Sequence, residues 1–490
     1  MTKQITGKQH SLGAVGFLIG LACVMAGAFL LKYVFPDFIL IPLLPAAFLI
    51  GYIFATRRIL EALVLSSVMC YILADGVNFF REFGLGLTEV MMDEDTGWLM
   101  IVCGLMGSIV VLIEKAGGLY AFGTFFSKRC KSKRGTLVAT WVLGTLIFLD
   151  DYLNSLTVGS CMAPLTDKHK VSREKLAYIV DSTAAPDCVL FPISTWAVFA
   201  SRILAENGLY VEGGSQIAYF LKTIPFNYYA WFAFFMVFAV CMGWIPDLGP
   251  MKKAQQRVMN GGPLAPPNSE KMDIHNNAEF SIPENPKMIN FLLPLAVLIV
   301  STIVTGTDLQ AGVLITLAFM FFFYIGQGLM TADEFTDYCI EGLKNMLLPI
   351  LLMILAFLFS GAADRIQFTQ TIIEWLVPIM TPELMAIEIF IVLAITEFIT
   401  GTNWGLYIIA LPIVIPLSQA IGGNTVLAVS AVLSAGVFGS HICFYSDATI
   451  LSSSASGCNN FDHAITQLPY GLLAGGLAGI CFLITGFVMH

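Results

Sequence analysis

The chain has 490 residues, of which 57% are hydrophobic and only 12% charged, and its formal net charge is −9. A soluble chain carries about twice that share of charge, so the composition points to a polytopic membrane protein. The acidic balance argues against a nucleic-acid partner. The 11 cysteines, scattered without a CxxC pair, exclude a disulfide framework and read as small core filler.

In chain order, apolar runs near 12–34, 38–55, 59–79 and 96–114 predict helices able to cross the roughly 30 Å hydrocarbon core. The first run is too long for the apolar stretch of a signal peptide, so no cleavable leader is expected. Basic clusters follow at Arg57-Arg58, Lys128 to Arg134, Lys168-His169-Lys170, and Lys252-Lys253 with Arg257. The positive-inside rule puts these in the cytoplasm, and Asp93-Glu94-Asp95 with the segment around Glu206 and Glu212 outside. Residues 134–167 therefore begin and end on the cytoplasmic side, and so short a stretch reads as a re-entrant hairpin. At its centre stands Phe148-Leu149-Asp150-Asp151-Tyr152-Leu153-Asn154-Ser155-Leu156-Thr157, two adjacent acids followed by alcohols and an amide inside apolar sequence. A charge at membrane depth costs ~3 kcal/mol on insertion scales, so such residues face a cavity and act on ions, protons or polar solutes. The competing reading, an acid pair in a water-exposed loop, lacks a polar stretch around it.

The span Glu174 to Leu204 holds Asp181-Ser182-Thr183-Ala184-Ala185-Pro186-Asp187 and then Pro192. Two prolines and two acids in one apolar span read as a broken helix. Polar residues 247–286, with Gly261-Gly262-Pro263 and Pro266-Pro267, read as a cytoplasmic linker. Spans recur near 287–306, 309–329, 346–361, 382–400, 405–420, 424–458 and 466–488. Val142-Leu143 recurs as Val392-Leu393, a shift of 250 that sets Thr400-Gly401-Thr402-Asn403 opposite the acidic tip. The order hairpin, broken helix, closing helix occurs twice, which predicts an inverted repeat with binding at the interrupted helices. The expected fold is an all-α polytopic membrane protein with two re-entrant hairpins, two broken helices and about eleven full spans. Its parts would be an extra helix in 1–37, a first repeat over 38–246, the linker over 247–286, and a second repeat over 287–490. The second hairpin, 382–420, would open to the outside.

Asp150, Asp151 and Asp181 are hard oxygen ligands suited to a small cation such as sodium. Asn154, Ser155, Thr157, Ser182 and Thr183 add neutral oxygens. The second-repeat polar group is Thr400, Thr402, Asn403, His441, Ser446, Asp447 and Thr449. A buried acid binds either a proton or a cation, and that competition is the simplest basis for exchange. Ser182 and Thr183 have the alternative of bonding back to their own helix, and Ser453 and Ser454 that of close helix packing. Asp187 lies at the helix break, and Glu397 is either a site acid or a partner to a basic group. Lys115 and Arg365, near span ends, are expected to snorkel.

The runs Phe148 to Gly159, Ser172 to Tyr178 and Asp181 to Pro186 resemble the motifs of the NhaC-type sodium/proton antiporter family. Gly439-Ser440-His441 and Ser446-Asp447-Ala448-Thr449 resemble its second-half pattern. Asp187 departs from it, since an apolar residue usually follows the position of Pro186. The resemblance covers most of the chain after about residue 40. It implies the ion transporter superfamily fold, a homodimer, elevator-type movement of a transport domain against a scaffold, and a place in the bacterial cytoplasmic membrane. It implies sodium and protons as the transported or coupling ions, with lipid as solvent and no other cofactor. Because such families also hold carriers of organic solutes, the alternative is a sodium- or proton-coupled carrier of a small carboxylate, amino acid or drug. An enzyme is not expected, because there is neither a second aspartate-rich cluster nor an HExxH zinc motif.

Overall fold

The computed structural model describes residues 21–22, 24–34, 41–56, 58–118, 120–122, 130–148, 150–192, 194–211, 217–271, 286–306, 308–368, 370–371, 380–401 and 403–489. Part of the expected first span, Lys128-Arg129, Glu212, residues 272–285 of the linker and Thr402 lie outside these. Among the described residues there are helices and no strand. In chain order they are α1 (Val24–Val34), α2 (Leu44–Thr56), α3 (Ile59–Asp75), α4 (Phe79–Met92), α5 (Glu94–Lys115), α6 (Lys133–Leu146) and α7 (Asp151–Lys168). Then come α8 (Arg173–Ser182), α9 (Ala185–Cys188), α10 (Thr195–Glu206), α11 (Ala218–Thr223), α12 (Tyr228–Met242) and α13 (Gly249–Met259). The remainder are α14 (Ile289–Val304), α15 (Leu309–Gly326), α16 (Ala332–Asn345), α17 (Leu347–Arg365), α18 (Met385–Thr400), α19 (Asn403–Ala420), α20 (Thr425–Ile442), α21 (Asp447–Ser456) and α22 (Asn460–Met489).

Five stretches among the described residues are long and apolar enough to cross a membrane: Ile59–Met92, Thr96–Lys115, α15, α20 and α22. Two bent pairs bring that to seven, one of them Ala218–Phe226 with α12, which meet at 58°. The chain is a polytopic membrane protein. Several of the roughly eleven spans expected from hydropathy coincide with shorter apolar helices, such as Ile289–Val304 and Gly405–Ala420. The 14 residues of α6 reach about 21 Å, less than a hydrocarbon core. Helix α8 ends at Ser182, and the chain resumes as the short α9 and then α10, so the proline-bearing span is interrupted as its sequence predicts.

Caps set the helix starts. Ser132, Asp150, Ser172, Ser194, Asn424 and Ser446 each accept a backbone N–H one turn into the helix they open. Four helices of the first half, α6, α7, α8 and α10, start 252 residues before four of the second: Lys133 and Met385, Asp151 and Asn403, Arg173 and Thr425, Thr195 and Asp447. The caps repeat at that spacing, Ser172 with Asn424 and Ser194 with Ser446. This corrects the shift of 250 drawn from one dipeptide. Asp150 falls opposite Thr402 rather than Thr400, because caps fix register more firmly than a Val-Leu pair.

The chain forms two compact units, Met1–Thr96 with Ile354–Ile379, and Gly97–Met353 with Met380–His490. Each expected repeat supplies residues to both. In the first unit Arg365 meets Asp75 at 3.2 Å, Glu82 at 3.4 Å and Glu89 at 3.6 Å, and lies over the Tyr71 ring. In the second, Lys115 meets Glu341 at 3.6 Å. Both basic residues are thus paired rather than merely snorkelling.

In the second unit α7 and α21 touch closely, since a Cβ on Gly159 would stand 2.6 Å from the Ala455 Cβ. Part of the linker is the packed helix α13, whose Met251, Ala254, Gln255 and Val258 are buried. Arg257 grips Glu174 of α8 with two bonds of 2.8 and 2.9 Å, and Gln255 bonds the Lys170 carbonyl at 2.7 Å.

Candidate ion site

The turn between α6 and α7 brings the sequence's acid pair into the second unit, each acid about 1% exposed. Asp150 caps α7: its Oδ1 accepts from Tyr152 N and Leu153 N, both at 3.0 Å, and its Oδ2 from Thr195 Oγ1 at 2.9 Å. Asp151, one residue on, is held by one oxygen only. Trp196 Nε1 donates to its Oδ1 at 3.0 Å, and its Oδ2 has no donor among the described residues. Asp447, the first residue of α21, comes from the second half: its Oδ1 accepts from Ala448 N at 2.8 Å and its Oδ2 from Tyr152 OH at 2.6 Å. Asp150, Asp151 and Asp447 lie close enough to repel one another when ionised.

Asn154 ties the hairpin to the broken helix. Its Nδ2 lies 2.9 Å from Gly144 O, 3.3 Å from Ile147 O and 2.5 Å from Thr183 O, which satisfies carbonyls freed at two helix ends. Its Oδ1 then has no donor, and neither has Ser155 Oγ. Residues 151, 154 and 155 share one face of α7 by the i, i+3, i+4 rule. That face therefore presents three buried oxygens without hydrogen-bond donors among the described residues, one of them a carboxylate oxygen. Thr157 turns elsewhere, to an apolar pocket shared with Ser160, Cys161, Met106 and Phe291.

At the break, Asp181 Oδ2 accepts from Gln467 Nε2 at 2.7 Å and lies 3.1 Å from His463 Nε2, while its Oδ1 has no donor. Ser182 Oγ lies 3.0 Å from His441 Nε2, and the other ring nitrogen of His441 lies 2.6 Å from Tyr229 OH. Thr183 bonds back to Ile179 O at 2.9 Å. The back-bonding alternative thus describes Thr183 and not Ser182. Asp181 keeps partners different from those of Asp150 and Asp151, and Asp447 stands within electrostatic reach of all three. Among the described residues no three His, Cys, Asp or Glu side chains converge as a metal cage. A site here must therefore draw on amide, hydroxyl and carbonyl oxygens beside its carboxylates.

In the second half Thr400 Oγ1 reaches Glu397 Oε2 at 3.5 Å. Asn403 opens α19, and Thr402 is outside the described residues. Ser446 and Thr449 close the second break: Ser446 Oγ donates to Ser440 O at 2.8 Å and Thr449 Oγ1 to Cys443 O at 2.8 Å. Ser453 and Ser454 bond back along α21 to Thr449 O and Ile450 O.

Comparison with known proteins decides the class. The sequence profile described as the Na+/H+ antiporter family matches residues 188–487, more than half of the chain. The chain belongs to the Na+/H+ antiporter family. A protein of Haemophilus influenzae, described only as uncharacterized, is 28% identical over 484 residues, covering 91% of this chain and 90% of that one. Membership supports a cation/proton antiporter, a transporter rather than an enzyme, with sodium and protons as its ions. The hairpin motif of 148–159 and Asp181 precede the matched segment, so Asp150, Asp151 and Asp181 are judged on geometry.

For this antiporter family member, sequence reasoning missed Tyr152, Thr195, Trp196, Tyr229, His463 and Gln467. In a membrane sequence a lone aromatic reads as core or interface. The signal available was the placing of His463 and Gln467 one turn apart on one face of α22, a polar stripe in an apolar span.

Proposed function

We propose that this chain exchanges sodium for protons at the donor-free oxygen face of α7, with Asp151 as the carboxylate that binds one or the other. The three orphaned oxygens of Asp151, Asn154 and Ser155 carry the reading. A buried acceptor without a donor is costly, and a cation satisfies several acceptors at once. Asp447 and Asp150 contribute negative charge, and Asn154 sets the face by binding three carbonyls. Asp181, Ser182 and His441 form an adjoining polar group at the break.

The equal 252-residue spacing of four helix starts supports an inverted repeat with binding at interrupted helices. Two compact units, each built from both halves, support an elevator in which the unit bearing the site moves as one body. Basic residues at both ends of the first hairpin support its opening to the cytoplasm. The resemblance supports a homodimer in the bacterial cytoplasmic membrane.

One observation favours a second reading, a sodium-coupled carrier of a small organic solute: Thr157 and Ser160 of α7, the helix that bears the ion face, line a mostly apolar pocket. Proteoliposomes test both. Internal pH and sodium uptake are followed together as sodium, potassium and lithium are added, with and without candidate solutes. Sodium-driven proton efflux without solute supports the antiporter. Sodium uptake that requires a solute and moves no protons favours the carrier.

A further inference from the structure

Two buried carboxylates stand outside the site just described. Asp187 and Glu397 are each 0% exposed. Among the described residues both Asp187 oxygens lack a hydrogen-bond partner, as does Glu397 Oε1, and Glu397 Oε2 has only the long contact to Thr400. Asp187, on α9, faces Thr145 of α6 without completing a hydrogen bond, since Thr145 Oγ1 is itself unpartnered. Shifted by the 252 residues that relate the helix starts, Thr145 falls on Glu397 and Asp187 on Gly439. Gly439 and Glu397 do touch: a Cβ added to Gly439 would run into the Glu397 side chain. The same contact between first helix and broken helix thus occurs in both halves. Each copy buries one acid, and the acid comes from opposite sides of the contact.

Resting on the antiport reading, we propose that Asp187 and Glu397 are two further proton-carrying carboxyls, one in each half, in addition to Asp151 of the cation face. An ionised carboxylate so deep and without donors is strongly disfavoured, so its charge is cancelled by a proton or a cation. A small cation wants several oxygens, and neither acid has them: Asp187 has the Thr145 hydroxyl, Glu397 has that of Thr400, and neither belongs to a three-ligand group among the described residues. The proton is the occupant that fits.

Glu397 stands within electrostatic reach of Asp447, and Asp187 shares a neighbour with the cation face. Cys188 lies within electrostatic reach of both Asp187 and Asp151. Glu397 is faced by Asp447 of α21, Tyr407 of α19, and Cys443 and Tyr445 in the second break. A sodium ion arriving beside Asp151 and Asp447 then favours release of a proton from each carboxyl to the open side, leaving carboxylates. On the return path the protons rebind as the cation leaves.

The test uses purified protein in proteoliposomes. The number of protons moved per sodium is read from the membrane potential at which opposing gradients give no net flux. Radioactive sodium/sodium exchange, which needs no proton movement, is measured in parallel. Asp187→Asn and Glu397→Gln should each lower the ratio by one proton, with sodium/sodium exchange within about twofold of wild type. The double variant Thr145→Glu with Asp187→Gly, which moves the acid to the side it occupies in the second half, should restore the ratio lost in Asp187→Asn. Unchanged ratios in both single variants overturn the proposal, as does loss of sodium/sodium exchange in monodisperse protein. A wild-type ratio below three protons per sodium, one for Asp151 and one for each of these carboxyls, overturns it without any variant. Absence of sodium-driven proton flux in the wild type overturns the antiport reading and this inference with it, whereas normal flux with unchanged ratios overturns this inference alone.

Discussion

The carboxylate of Asp150 is saturated by two backbone N–H groups and the Thr195 hydroxyl, while Asp151 keeps one oxygen without a donor. Neighbouring acids therefore have separable roles. Asp150→Asn should preserve the cap, because Asn caps as well as Asp, whereas Asp150→Ala should cost ~1 kcal/mol of stability. Asp151→Asn should abolish sodium/proton exchange and leave the thermal unfolding midpoint within a few degrees of wild type. Transport and melting of the three variants, measured side by side, check this. Equal transport loss in Asp150→Asn and Asp151→Asn would remove the distinction. Trp196→Phe should cost ~1–3 kcal/mol, since it strips the Asp151 carboxylate of its one donor. The acid pair itself was legible in the sequence, because two charges in apolar surroundings demand a function. Its supports were not. Thr195, Trp196 and Asp447 lie 45 or more residues away, and nothing local marks an indole or a phenol as a hydrogen-bond donor to a particular acid.

At the scale of elements, the interruption after Ser182 was legible from its prolines, and charge clusters marked out the stretch that holds the turn between α6 and α7. Basic residues frame 134–167, and Pro186 and Pro192 interrupt the next span. The linker was read only by its polarity. Its amphipathic helix α13 is shorter than a span and carries Lys252, Lys253 and Arg257, which hide a buried face of Met251, Ala254 and Val258. That helix should matter for stability. Arg257→Ala leaves Glu174, whose side chain is 2% exposed, without its cation, and is expected to cost ~3 kcal/mol. Thermal melting of Arg257→Ala against Arg257→Lys measures it, the lysine variant retaining part of the stability. The α7–α21 contact is equally exposed to test. Gly159→Leu would force these two helices apart, at ~1–3 kcal/mol or more, and should lower transport together with the melting temperature.

For the whole molecule, composition was enough to place the chain in a membrane, but its division into two units was not legible. Residues 354–379 join the unit of the first 96 residues, a pairing made by contacts hundreds of residues apart. Feature order suggested a repeat at a shift of 250, whereas four helix starts and two caps recur at 252. A pH dependence follows for the intact antiporter. If sodium and a proton compete for Asp151, sodium affinity must fall as acid pH fills the site. Below the apparent pKa of the coupled acids, the half-saturating sodium concentration should rise about tenfold for each pH unit per competing proton. Initial rates of sodium uptake at several pH values measure that slope, and a half-saturation independent of pH would rule out direct competition.

The most direct measurement of this competition is proton release on sodium binding to the purified protein. Sodium chloride, with choline chloride as the control, is added to detergent-solubilised protein in weak buffer, and the pH change is followed with a dye. The account predicts that sodium releases protons, that choline does not, and that the Asp151→Asn variant releases fewer than wild type. Sodium that binds by calorimetry yet releases no proton from the wild type, or releases as many from Asp151→Asn, would contradict it.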